Sequence, residues 1–278
     1  MLATLVCLIF LIFLWGIGDA VKTQGISNAV DIWFMDIGQG DASLVATPEG
    51  RHILIDAGPN KQVVQQIGKL LPLTSKHLDL VFLSHYDKDH IGGMLNVLDT
   101  YSVGAVMVRP RNECTTDICS RTLKALDAKA IPVIEVMDSH EDISVEKDVV
   151  IDNLTYDNRS GVTNRCLVFR LVYGATHILF TGDMDSIHEK TMVASGEDVR
   201  ADVLKVAHHG SKTASSDLFL QVVSPKLASI SDGKNNQYHH PSDEILERFS
   251  HYPATVLART DLDGTVHVAC TKTECVRR

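Results

Sequence analysis

From residue 31 onward the chain is a succession of short apolar runs, rich in Val, Ile, Leu and Phe and separated by Gly, Asp, Asn and Ser. Runs this brief between turn residues predict strands rather than helices. They fall at 31–37, 42–47, 52–55, 78–83, 103–108, 131–136, 149–151, 166–172, 177–180, 203–206, 227–230, 255–258 and 266–269. Helical spacing of apolar positions appears at 63–70, 93–98, 121–126, 186–193, 217–222 and 243–249, with Ser216 and Ser242 placed to cap the last two. Many strands with interspersed helices predict an α+β chain: two mixed β-sheets packed as a sandwich with helices on the outer faces. No repeat, low-complexity tract or long linker interrupts residues 30–278, so they read as one domain.

The N-terminal pattern is different. Residues 2–15 are apolar apart from Thr4, and no charge precedes Asp19. Such a stretch is shorter than the ~20 residues that span a bilayer, and suits the apolar region of a signal peptide. Gly18-Asp19-Ala20 supplies small residues for a cut, so residues 1–21 read as a signal peptide or, if retained, an N-terminal membrane anchor. Either places the remainder outside the cytoplasm, secreted or anchored. The cysteines agree with that compartment. Cys114 and Cys119, and Cys270 and Cys275, form two closely spaced pairs in polar sequence, as local disulfides would require. Four cysteines allow three pairings, and a zinc knuckle is the rival reading. Cys166 is left over once Cys7 is assigned to the leader.

Net charge limits the partners. With 26 Lys and Arg against 35 Asp and Glu, the formal charge is −9. General nucleic-acid binding needs clustered positive charge, so a phosphate substrate must be caught locally, by a metal or a small basic patch.

The densest chemistry is Ser84-His85-Tyr86-Asp87-Lys88-Asp89-His90-Ile91-Gly92-Gly93, directly after a predicted strand. His85, Asp87, Asp89 and His90 put four metal-ligand side chains within six residues, enough for one loop to serve two closely spaced ions. Four more predicted strands end in Asp or His followed by turn residues: Asp56-Ala57-Gly58, Thr181-Gly182-Asp183, Ala207-His208-His209-Gly210-Ser211-Lys212, and the stretch Gly233 to Pro241 that carries Asn235, Tyr238, His239 and His240. Five such strand ends suit one shared active-site edge.

These segments, with Asp36-Ile37-Gly38-Gln39-Gly40-Asp41 and Asn164-Arg165-Cys166, closely resemble the metallo-β-lactamase superfamily, and within it the extracytoplasmic nuclease-like domain of ComEC-type DNA-internalization competence proteins. The resemblance implies an αββα sandwich. It assigns His85 and Asp87 to one metal and Asp89 and His90 to a second, with Asp183 bridging. One of His208 or His209 completes the second site; His208, first after the strand, is favoured, and His209 is placed in support. The chain departs from the wider pattern at Asp87, where a second His is usual, and at Asn164-Arg165-Cys166, where a third His is missing; Ser is usual at Cys166 in the ComEC-like branch. Carboxylate in place of imidazole favours Mn²⁺ or Mg²⁺ over Zn²⁺.

Two divalent ions activate water and balance the charge of a phosphoryl displacement. Lys212 and the backbone around Ser211 are candidates to hold a phosphate oxygen, Asn235 and Tyr238 to contact substrate, and His240 to protonate the leaving oxygen or add a ligand. Asp36, Asp41 and Asp56 read as supports to a tight Gly turn or to the ligands, as does Asn164. The expected function is an exported, metal-dependent phosphodiesterase, with DNA as substrate. The alternatives are hydrolysis of a small ester, lactam or phosphodiester, and a non-catalytic metal-containing module for DNA uptake or surface binding.

Overall fold

The computed structural model describes residues 28–136, 142–154 and 166–278. The leader at 1–21 and Asn164 lie outside them. In chain order the strands are β1 (Val30–Phe34), β2 (Ser43–Ala46), β3 (His52–Ile55), β4 (His77–Phe82), β5 (Ser102–Val108), β6 (Val133–Glu135), β7 (Ile143–Glu146) and β8 (Val149–Asn153). They continue with β9 (Phe169–Tyr173), β10 (Thr176–Phe180), β11 (Val203–Lys205), β12 (Leu227–Ile230), β13 (Val256–Arg259), β14 (Val266–Cys270) and β15 (Cys275–Arg277). The helices are α1 (Gln62–Leu70), α2 (Lys88–Ile91), α3 (Met94–Thr100), α4 (Asp117–Ala128), α5 (Ser186–Ser195), α6 (Asp217–Val223), α7 (Asp243–Ser250) and α8 (Thr260–Asp263).

Among the described residues the strands form two sheets, ordered β15-β14-β1-β2-β3-β4-β5-β6 and β13-β12-β11-β10-β9-β8-β7. Each is antiparallel at one end and parallel at the other. The parallel connections carry α1, α3 and α4 in the first sheet and α5, α6 and α7 in the second, because parallel neighbours need a crossover. Their apolar faces lie on the sheets: Val63, Ile67, Val97 and Leu126 pack on the first, and Met192, Phe219, Ile245 and Phe249 on the second. Ser216 and Ser242 accept the backbone N–H groups of Phe219 and Ile245, so both predicted caps form. Between the sheets, the Phe82 ring stacks on Phe169 at 4.4 Å and Phe169 on Phe180 at 5.1 Å. The layers are therefore αββα.

Two strands escape the sequence pattern, β7 and β15. Both lie at sheet edges, where Ile-Ser-Val-Glu and Cys-Val-Arg bury too little to read as apolar runs. Cys114 is bonded to Cys119 and Cys270 to Cys275, the latter pair lying opposite each other in the β14–β15 register. No helix among the described residues is long and apolar enough to cross a membrane.

Candidate metal centre

The parallel strands β3 and β4, and β10, β11 and β12, bring five strand-end segments together. Asp56 follows β3 and binds the segment after β4 twice: Oδ1 accepts the Ser84 N–H at 2.7 Å and Oδ2 the Ser84 hydroxyl at 2.7 Å. The Leu167 N–H reaches the Ser84 carbonyl at 2.7 Å, tying the two sheets across this edge, and the His208 N–H reaches the Gly182 carbonyl at 3.0 Å, joining the segments after β10 and β11. The segment from His85 then turns into α2, which carries Asp89 and His90, and two glycines after it let the chain pack closely. A Cβ at Gly92 or Gly93 would collide with the Pro59 or Ala57 carbonyl, and one at Gly40 with the Asp89 carbonyl.

Hydrogen bonds fix which nitrogen each imidazole offers. His90 Nδ1 lies 2.8 Å from Asp56 Oδ2, and His209 Nδ1 lies 3.0 Å from the Ser231 carbonyl. A ring donating from Nδ1 keeps its lone pair at Nε2, the usual device for orienting a metal-binding histidine. His85 Nδ1 contacts the Ser84 hydroxyl at 3.0 Å. His208 and His209 both adopt left-handed backbone, with φ 50° and 53°. Such conformations cost of order 1–3 kcal/mol each in non-glycine residues and concentrate at functional sites; here they aim two consecutive rings at one carboxylate.

That carboxylate is Asp183, whose two oxygens face two groups. Oδ1 lies 3.3 Å from His90 Nε2 and 3.6 Å from His209 Nε2, and His209 Nε2 is 3.4 Å from Asp89 Oδ2. Oδ2 lies 3.9 Å from His85 Nε2 and 3.7 Å from His208 Nε2, and His85 Nε2 is 3.5 Å from Asp87 Oδ2. The structure thus sets His209, not His208, beside Asp89 and His90. His208, with 39% of its side chain exposed, faces the His85 group instead.

The atoms left over match a cation. His85 Nε2, His90 Nε2, His209 Nε2 and Asp183 Oδ1 are all buried and make no hydrogen bond. Convergent buried polar atoms that make no hydrogen bond are costly unless something binds them. Imidazole and carboxylate together suit a divalent metal, so the residues present fit the ions that the family resemblance implies. Electrostatics agree. Burial alone would depress the His90 imidazole, and His85 adds to that, but Asp183 and Asp56 outweigh both and hold it well above its ordinary value. His209 is likewise raised to about 10, Asp183 and Asp41 overcoming its burial. Burial would raise Asp183, yet His90 and His209 hold it well below the carboxylate range. The site attracts positive charge.

Ligand atoms of Asp41, His90, Asp183 and His209 all lie within 4.8 Å of one another. Asp41 is nonetheless already matched: Lys205 Nζ sits 2.8 Å from its Oδ1, with both side chains buried. Its Oδ1 is also 3.4 Å from His209 Nδ1, so this pair braces the histidine from behind. Asp36 accepts the Gly38 N–H at 3.3 Å and lies in the Gly turn that precedes Asp41. The sequence pattern missed Lys205 and Ser84. The signal for Lys205 was available: a lysine inside an otherwise apolar run demands a buried partner.

The remaining predicted residues line the rim. Lys212 and Asn235 are exposed, and Tyr238 is 56% exposed. Ser211 uses its N–H on the His208 carbonyl at 2.8 Å and its hydroxyl on Thr213 at 3.0 Å, leaving the Lys212 ammonium as the group that can reach outward. The Tyr238 ring stacks on His240 at 5.9 Å, and His240 meets His208 edge-on at 5.8 Å. Asn236 pins the His240 backbone on both sides, at 2.6 and 3.1 Å. Burial, with His209 and His208 nearby, pushes the His240 imidazole below its ordinary value.

Known proteins are similar to this chain in sequence and fold. The metallo-beta-lactamase superfamily model matches residues 35–231. The chain is 32% identical over 260 residues to ComE operon protein 3 of Bacillus subtilis, covering 87% of this chain and 33% of that protein. It is 31% identical to competence protein ComA of Neisseria gonorrhoeae, covering 86% and 32%, and 28% identical to recombination protein 2 of Haemophilus influenzae, covering 84% and 28%. It therefore spans about a third of the length of the curated relatives it matches. Among solved structures, the diiron β-hydroxylase CmlA of Streptomyces venezuelae superposes with a TM-score of 0.55 at 13% identity, over 90% of this chain and 54% of that one. A diphosphatase of the PhnP family gives 0.51 at 14% identity, over 87% and 99%. At such identities these two attest the fold.

Proposed function

The chain belongs to the metallo-β-lactamase superfamily, and we propose that it is an exported, metal-dependent hydrolase that cleaves phosphodiesters, with DNA as its substrate. The observation that carries the reading is the set of buried nitrogen and oxygen atoms without hydrogen bonds, His85 Nε2, His90 Nε2, His209 Nε2 and Asp183 Oδ1, at one edge of the sandwich. Asp89, His90, His209 and Asp183 would hold one divalent ion, and His85, Asp87, His208 and Asp183 the other. Bound there, two such ions lower the pKa of water and offset the charge that develops on a phosphoryl group in displacement.

The protein groups supply position and proton handling. Asp56 and the Ser231 carbonyl hold His90 and His209 in the orientation that offers Nε2. Lys212 is the local cation for a phosphate oxygen on a chain whose net charge is −9. Tyr238 offers an exposed aromatic face stacked on His240, the kind of platform on which a nucleobase stacks whatever its identity. Burial, with His209 and His208 nearby, favours the neutral His240 ring, so to protonate a leaving oxygen it would first take up a proton from the reaction. DNA as substrate and a place outside the cytoplasm draw support from the competence-protein relatives, the apolar residues 2–15 and the two disulfides.

The test uses the full chain, disulfides intact and stripped of metal, with labelled single- and double-stranded DNA and Mn²⁺, Mg²⁺ or Zn²⁺ restored. Metal-dependent cutting that disappears in Asp89→Asn, with the fold retained, is the expected result. A folded, metal-loaded protein that cuts neither DNA would overturn the assignment.

A further inference from the structure

Cys166 is the cysteine that neither disulfide uses among the described residues, and it is 3% exposed. Its place is specific. The Asp183 N–H points at its sulfur at 3.3 Å, on the residue whose carboxylate faces His85. Leu167, the next residue, is fastened to the Ser84 carbonyl, so the thiol is held against the segment that carries His85. Gly182, at φ +51°, keeps the opposite wall open; a Cβ there would stand 3.1 Å from the Cys166 Cβ and 3.3 Å from the Ser84 hydroxyl. Beside this thiol, His85 is 6% exposed and its Nε2 makes no hydrogen bond.

We propose that Cys166 supplies a thiolate ligand to the ion held by His85, Asp87 and Asp183, and that this makes the first site selective for zinc. The inference rests on the metal-dependent reading above and concerns only which donors complete the first site. A sulfur among otherwise hard carboxylate donors reverses the preference that those carboxylates set, since thiolate favours Zn²⁺ over Mn²⁺ and Mg²⁺. Chemically the step is an exchange: the Cys166 S–H bond breaks, its proton leaves to solvent, and the sulfur lone pair forms the metal bond. No oxidant or reductant enters. The Asp183 N–H is already placed to stabilise negative charge on that sulfur.

Cobalt tests this without reference to activity, because a cysteine thiolate bound to Co²⁺ produces an intense near-ultraviolet charge-transfer band. The metal-free full chain should bind Co²⁺ with that band present, keep it in Cys7→Ser, and lose it in Cys166→Ser. In the same series, Zn²⁺ affinity should fall at least about tenfold in Cys166→Ser, with Mn²⁺ affinity nearly unchanged. Co²⁺ bound without a charge-transfer band overturns the cysteine ligand and leaves the metal centre standing. Failure of the folded parent to bind Co²⁺, Zn²⁺ or Mn²⁺ overturns the metal-dependent reading as well. Should Cys166→Ser not fold, the parent's band decides, with retention of the band after Cys166→Ala refuting the assignment.

Discussion

Lys205 is the residue whose removal tests the electrostatics of the site most directly. Its side chain ends at the Asp41 carboxylate, 2.8 Å away, with a further bond of 3.0 Å to the Val206 carbonyl. Lys205 is 2% exposed and Asp41 4%, so water screens the pair little. At that separation two unit charges attract by about 6 kcal/mol if the effective dielectric constant is about 20, and desolvating both cancels much of it. Lys205→Met removes the attraction and keeps the desolvation of Asp41. Losing one member of a buried pair costs about 3–5 kcal/mol. With a urea slope of about 3 kcal/mol per molar, the unfolding midpoint of the metal-free protein should fall by about 1–2 M. Lys205→Met combined with Asp41→Asn removes the stranded charge, so it should recover at least about half of that loss. A single variant within about 0.3 M of the parent, or a double variant less stable than the single, would refute the argument that Asp41 needs this lysine.

Gly40→Ala should lower metal affinity by about 10–100-fold, as disturbances of a ligand's support do, because the added methyl collides with the Asp89 carbonyl, which itself accepts the Asp41 N–H at 3.1 Å; metal content after dialysis reads this, and unchanged content would contradict it. Burial raises the Asp232 carboxyl to about 7. Its folded pKa lies above its unfolded one, so the contribution is fully present below about pH 4 and is lost as pH rises towards 7. The parent should therefore lose stability relative to Asp232→Asn across that interval, and parallel midpoint curves would count against it. Each disulfide closes a loop with a sequence separation of five. Replacing either pair by serines should cost about 2 kcal/mol in denaturant unfolding; a much larger loss would mean that the bonds do more than restrain the unfolded chain.

The sheets and their helices were legible because buried strands in this chain are short, apolar and bounded by Gly or Asp. Strands β3 and β12 fall at their predicted bounds, 52–55 and 227–230. What the pattern missed has a common cause. Edge strands such as β7 bury one face at most, and their polar residues hide the alternation. At the site, sequence order identified the right segments but not the direction of their side chains. His208 and His209 are adjacent, and only their left-handed backbone decides that one faces Asp89 and the other the His85 group. Lys205 and Ser84 gain their roles from partners 164 and 28 residues away, Asp41 and Asp56, which no local spacing encodes.

The first described strand, β1, lies between β2 and β14, paired from Val30 with Cys270 to Phe34 with Val266. Asp31 bonds to His267 and Trp33 stacks on it, across a separation of more than 230 residues. During synthesis, every residue of the metal centre leaves the ribosome before the strand that closes the first sheet. A nascent chain stalled short of residue 266 would carry all the ligands on a frame whose β1 edge is open, and an open edge recruits other chains. Closing the sheet is thus a late, long-range event, slow by its topology. The topology leaves β1 waiting for its partner after every segment that carries a ligand has been made.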